Sequence, residues 1–379
     1  MLNVILTASV SFIITFLAIP AIIKIAEQKK LYDLPDDRKL HTRPIASLGG
    51  VGIFGGFFIA SILAIPAATN PEFQYFFAAA TVIFFLGIKD DMLVLSANKK
   101  FLGQVLATAI LIHFGDIRIA SMHGLLGITE IPLAISYLLS YISIIVIINA
   151  FNLIDGVDGL AGTLGLLTMT VFGAYFFMAD MPAYSILAFS LAGSLLAFLL
   201  FNYNPAKIFM GDSGSLILGL VNAILVIKFI TIADNRSAGY FLESSVAIGF
   251  SILMVPLTDT LRVFSMRIFK RRSPFSADRE HIHHLLLDRG LNHKYVTFCC
   301  VSLNIMFIAV AYFGRVMGVS YTLLTIFGLA FLLLGILLYL NKPAREISVT
   351  SLQHNVEPLA QQSAAKRVSI KKEAAIAEN

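Results

Sequence analysis

Asn149, Asn152 and Asp155 stand at three-residue intervals where a long apolar run, Leu133 to Ile148, gives way to polar sequence. Residues spaced in this way share one face if the last turn of helix continues past the run. Gly156, Asp158 and Gly159 follow at once, and the glycines let the backbone turn and approach a ligand closely. A membrane helix that ends in amides and carboxylates either solubilises a loop or holds a charged ligand at the bilayer surface. The spacing favours the ligand.

Other segments carry the same kind of chemistry. Asp90 and Asp91 end a Phe- and Ile-rich run. Adjacent carboxylates can start a solvated loop, act as a base tuned by its neighbour, or bind a metal. Asp212 lies between Gly211 and Gly214, with Ser213 and Ser215 beside it. It could cap the helix that follows, but either serine could do that without an acid, so Asp212 reads as a ligand. His281, His283 and His284 accompany Arg279 in a loop that also holds Lys270, Arg271 and Arg272. A zinc site is disfavoured, since no cysteine joins them and their spacing is not that of a helix-face pair. Imidazoles with guanidiniums make an anion-binding surface, whereas a basic loop meeting anionic lipid would explain the arginines and not the histidines. Asp259 and Arg262, three apart in an apolar run, read as a structural pair that lowers the cost of intramembrane charge. The run Gly50 to Gly55 fits a dinucleotide-binding pattern, but no strand precedes it, so Gly52 and Gly56 read as helix-packing positions.

The elements that must position these groups are membrane helices. The chain is 58% hydrophobic with 31 Phe, and its mean hydropathy is +0.83. Only 13% of its residues are charged, against about 25% in an ordinary soluble domain. The composition predicts an all-α polytopic integral membrane protein. Eleven runs are candidate spans: 3–26, 48–68, 73–88, 101–115, 132–150, 159–179, 183–202, 214–232, 243–269, 295–313 and 319–340, the ninth with a kink or break expected at Pro256. Of the 28 Lys and Arg, only Arg118, Lys228, Arg236 and Arg315 fall in or beside loops after even-numbered runs. The bias puts the N-terminus outside and the C-terminus in the cytoplasm, with a short β-hairpin expected outside between Asp116 and Pro132. All the polar clusters, including His41 to Arg43, then follow odd-numbered runs and face inward. Residues 1–340 read as one catalytic membrane domain and 341–379 as a mobile polar tail. The net charge of +5 is a matter of topology and implies no nucleic acid. Cys299 and Cys300 read as packing residues.

Acids ringed by cations suit a phosphate-bearing substrate if a divalent metal bridges them. Mg2+ (or Mn2+) fits Asp and Asn oxygens supplemented by phosphates. Lys89 to Asp91, Asn149 to Ala161, Phe209 to Ser215 and Ser273 to Leu285 resemble the motifs of the polyprenyl-phosphate N-acetylhexosamine-1-phosphate transferases. The loop from Arg272 to His284 is similar to the branch that uses UDP-N-acetylglucosamine. The branch that takes the peptidoglycan muramyl-pentapeptide usually has a three-histidine run there. This resemblance implies a bacterial plasma-membrane enzyme with a cytoplasmic active site. It would move an N-acetylhexosamine 1-phosphate from a UDP-sugar to undecaprenyl phosphate and release UMP, an early step of surface-glycan assembly. The resemblance further implies that Asn152 and Asp212 bind the metal, that Asp90 serves as base or orienter with Asp91 beside it, and that Lys100 binds phosphate. Phe209 would stack on uracil near Gly156 and Asp158, with Asp155 close to the metal and Asn149 in the substrate site. His281, His283, His284 and Arg279 would hold the sugar phosphate. Ala46 stands where the family often has proline, and a homodimer is left open. The rival from another class is a secondary transporter, which would place its binding groups near the bilayer midplane.

Overall fold

The computed structural model describes residues 1–29, 31–33, 45–235, 239–271 and 281–340. Arg279, the cluster His41 to Arg43 and the C-terminal polar tail lie outside the described residues. Every one of the eleven apolar runs forms helix. In chain order these are α1 (Leu2–Lys29), α2 (Gly49–Ala64), α3 (Glu72–Leu93), α4 (Ala97–His113), α5 (Leu133–Ile154), α6 (Leu160–Met178), α7 (Pro182–Asn202) and α8 (Gly211–Ala233). The ninth run is split into α9 (Ser245–Ile252) and α10 (Met254–Phe269); the short α11 (Ile282–Leu287), α12 (His293–Gly314) and α13 (Val319–Leu340) complete the series. Seven of them, α1, α5, α6, α7, α8, α12 and α13, are long and apolar enough to cross a membrane, and α9 with α10 would make an eighth span. α2 is apolar but has 16 residues, about 24 Å of rise against a hydrocarbon core of about 30 Å. The chain is a multi-pass membrane protein.

α8 is the central helix: 83% of its most apolar stretch is buried, against 22% for α1 and 17% for α13. Around it, α1, α2 and α7 meet through small and hydroxyl side chains. Thr15 donates to the Gly52 carbonyl at 3.1 Å and to Ser194 at 3.0 Å, which fits the packing reading of the α2 glycines.

The ninth run bends by 79°, and the break falls at Leu253 instead of Pro256. Pro256 lies in the first turn of α10, where a helix has no internal partner for its N–H groups, so the proline costs nothing there. Asn304 of α12 satisfies the backbone at the break, accepting from Val255 N at 3.0 Å and donating to the Ile252 carbonyl at 2.9 Å. A broken helix at membrane depth requires such a partner.

Two short antiparallel pairs occur. β1 (Tyr32–Asp33) pairs with β2 (Ile45–Ala46), which the sequence pattern did not suggest. β3 (Ser121–Leu125) and β4 (Ile128–Glu130) form the expected hairpin. Contacts divide the chain into two units, Met1–Leu332 and Leu333–Asn379; the site described next lies wholly within the first.

Candidate active site

The start of α8 organises the site. Its N-cap residue, Met210, contributes no side-chain cap. The cap comes from α3, where the Asp91 carboxylate accepts the backbone N–H groups of Asp212 at 2.7 Å and Ser213 at 3.1 Å. A carboxylate there also meets the positive end of the helix dipole. The helices come this close because Gly87 of α3 lies against the Asp212 and Ser213 backbone with no space for a Cβ. So the cap is neither Asp212 nor a serine of the same segment but an acid from another helix, and Asp91 holds the Asp212 backbone.

That leaves the Asp212 side chain free to face α4 and α5. Lys100, in the first turn of α4, forms ion pairs with Asp212 and with Asp90, the latter at 3.1 Å. It also donates to Asn152 Oδ1 at 3.2 Å. Asn152 Nδ2 in turn donates to Asp212 at 2.7 Å and to Ser215 at 2.9 Å. Asp90 accepts from Leu95 N and pins the α3–α4 turn, in which Val94 adopts φ +46°. A β-branched residue there is strained, and such strain persists where surrounding bonds impose it. One turn back along α5, Asn149 exchanges amide hydrogen bonds with Gln104 at 2.8 and 3.3 Å.

Asp155 ends α5 and faces the same space. Burial, together with the charges of Asp212, Asp91 and Asp158, pushes its carboxyl well above the ordinary range. Next to it, the room at Gly156 is taken up by an imidazole: a Cβ added there would lie 2.5 Å from His283 Nε2. His283 is 2% exposed, and burial holds its imidazole down to about 3 against the pull of Asp259, so the ring is neutral. It lies parallel to His281, with centroids 5.6 Å apart, and 4.4 Å from His284.

Together the α3–α4 turn, α4, α5, α10 and α11 line a cavity of about 490 Å3. Asp90, Lys100, Asn149, Asn152, Asp155, Gly156, His281, His283 and His284 all border it, and Asp212 sits at its edge through Asn152 and Lys100. A larger groove of about 890 Å3 between α1, α6 and α7 has no acid, amide or imidazole in its wall. The acids, amides and imidazoles gather around the smaller space.

Two expected members do not border the cavity. Asp158 accepts from Asn204 at 2.9 Å and Ala206 N at 3.2 Å and pairs with His293 at 3.3 Å, tying the loop after α7 to α12. Burial tends to raise its carboxyl, but the His293 and Asn204 hydrogen bonds outweigh this and hold it below the usual range. Phe209 anchors the segment before α2 through its backbone: its N–H donates to Ala46 and its carbonyl accepts from Gly49. It does not border the cavity. Conversely, Arg267 and Phe264 of α10 line the cavity without having been singled out. Asp259, Val263 and Arg267 stand four apart, a helical stripe that could have revealed the arginine.

Among the described residues, no three His, Cys, Asp or Glu side chains group as a metal site. Oxygens of Asp90, Asp212 and Asn152 converge on the Lys100 ammonium instead. Asp91 and Asp155 add two further carboxyls close by, and burial first, then the neighbouring carboxylates, raises the proton affinity of Asp155. An all-oxygen set with few protein ligands suits Mg2+ when substrate phosphates complete the shell. The residues fit the ion.

The profile of glycosyl transferase family 4 matches residues 73–230. The chain is 30% identical to a probable undecaprenyl-phosphate N-acetylglucosaminyl 1-phosphate transferase of Bacillus subtilis, over 78% of this chain and 80% of that protein. It is 32% identical to the decaprenyl-phosphate N-acetylglucosaminephosphotransferase of Mycobacterium leprae, over 80% of each. An undecaprenyl-phosphate alpha-N-acetylglucosaminyl 1-phosphate transferase of Escherichia coli O157:H7 is 28% identical over 82% of this chain and 84% of its own length.

Proposed function

The chain belongs to glycosyl transferase family 4, and from that premise we propose that it transfers N-acetylglucosamine 1-phosphate, or a related N-acetylhexosamine 1-phosphate, from a UDP-sugar to undecaprenyl phosphate. The observation that carries this reading is the meeting of Asp90, Lys100, Asn152, Asp212 and the histidines, drawn from distant segments, around one cavity. The relatives' names pair N-acetylglucosamine phosphate with a polyprenyl phosphate, which favours this reaction over muramyl-pentapeptide transfer. The carboxylates stand at helix ends, which counts against a transporter with a midplane site.

An oxygen of the lipid phosphate attacks the sugar-linked phosphorus of the donor. The new P–O bond forms as the bond to the uridine-bearing phosphate breaks, and UMP leaves with that bridging oxygen. A phosphate monoester has a second pKa of about 6, so the acceptor arrives mostly as the dianion and needs little base. Asp90 therefore serves chiefly to hold Lys100, whose ammonium draws the phosphates together. His281, neutral His283 and Arg267 line the wall, where they would meet the sugar and phosphates of the donor. Asn152 and Asp212, with Asp155 close by, would hold Mg2+, which when bound supplies positive charge against the donor diphosphate. The apolar runs support eleven spans, and the loop charges favour an external N-terminus and a cavity open to the cytoplasm.

The test is UMP release by purified protein in nanodiscs, with a panel of UDP-sugars. Turnover of UDP-N-acetylglucosamine is expected only when undecaprenyl phosphate and Mg2+ or Mn2+ are both present, with near-complete loss in Asp212→Asn. Wild-type protein that releases no UMP from any UDP-N-acetylhexosamine would refute the activity. Unchanged turnover in Asp212→Asn would remove the metal assignment.

A further inference from the structure

Asp259 is 1% exposed and bonded on all sides. One carboxylate oxygen accepts Ile282 N at 2.8 Å and Arg262 at 3.2 Å. The other lies 2.8 Å from His281 Nδ1. Asp259 and Arg262 form the expected pair, which uses only part of the carboxylate's capacity. An ionised carboxylate only accepts, so the contact with His281 requires the proton on Nδ1. Nε2 is then the ring nitrogen left for the cavity, which His281 borders. The Ile282 bond fixes the first residue of α11, and with it the backbone that carries His283 and His284. Behind Asp259 the α9–α10 break, secured by Asn304, sets the position of α10 itself.

We infer that Asp259 is a positioning residue for the transfer reaction: it fixes the tautomer and ring orientation of His281 and docks the start of α11, so that His281 presents a bare, accepting Nε2 to a hydroxyl or amide N–H of the donor sugar. This rests on the reading of the cavity as the UDP-sugar site. Carboxylates orient metal-bound imidazoles from behind in the same way, and there their loss typically costs about 10- to 100-fold.

Asp259→Asn separates orientation from packing. The amide keeps the size and one acceptor for Ile282 N, but turned toward His281 it donates, which drives the ring proton to Nε2. Wild-type protein labelled with 15N-histidine is expected to show His281 protonated at Nδ1, and the variant at Nε2. The donor kcat/KM should fall about 10- to 100-fold, while the KM for undecaprenyl phosphate stays put. His281→Gln should cause a similar loss, and the double variant should be no worse than His281→Gln. Additive losses, wild-type kinetics in Asp259→Asn, or an Nε2–H tautomer in the wild type would each overturn the inference. Should Asp259→Asn fail to fold, the wild-type spectrum alone decides. Wild-type protein that turns over no UDP-sugar would instead sink the reading beneath it.

Discussion

Gly156→Ala puts a single methyl group between the end of α5 and α11. Its Cβ would lie 2.5 Å from His283 Nε2 and 3.2 Å from Cε1, where ordinary contact begins at 3.4 Å. The ring must therefore retreat by roughly 0.9 Å, the difference between those two distances. It has little room, being buried with a parallel neighbour in His281 and a second in His284. If the site absorbs the strain, overpacking costs about 1–3 kcal/mol, seen as a lower unfolding midpoint in detergent. If the imidazole shifts, a displacement near 1 Å can cost about 100-fold in rate. The assay is kcat/KM for UDP-N-acetylglucosamine with thermal unfolding alongside. Both values should fall in Gly156→Ala. In a His283→Ala background the clash is gone, so the glycine change should do little. Wild-type behaviour of Gly156→Ala, or an undiminished extra loss beside His283→Ala, would refute the reasoning.

Asp91→Ala removes the cap of α8 and leaves the Asp212 and Ser213 N–H groups without their acceptor. A loss of about 1–3 kcal/mol is expected, with reduced turnover because the Asp212 backbone loses its anchor. An unchanged denaturation midpoint would remove that role. Asp158 gives a pH signature. Its folded-state pKa is depressed, so its stabilisation is complete above the unfolded Asp value of about 3.9 and is lost as pH falls through the lower folded-state value. Melting curves should show Asp158→Asn less stable than wild type at neutral pH, with the gap closing in acid; a gap that widens in acid would contradict the assignment.

Hydropathy and the helical period are local properties, and they placed a helix on every one of the eleven runs. The three-residue spacing of Asn149, Asn152 and Asp155 likewise led to the wall they share. Motif types singled out Asp90, Asp212 and the histidines, because acids and imidazoles are conspicuous among hydrocarbon, and the family resemblance added Lys100. Sequence could not tell how each polar group spends its bonds. Asp91 caps a helix 121 positions away. Asp259 looks past its near neighbour Arg262 to His281, and Asp158 turns to His293 and Asn204. The break in the ninth run settles at Leu253 where Asn304 can pair its open backbone, and Gly156 makes room for a ring as well as a turn. Composition and period belong to a stretch of chain. A hydrogen bond belongs to whichever partner the packing brings within about 3 Å, and that is decided only when distant helices meet.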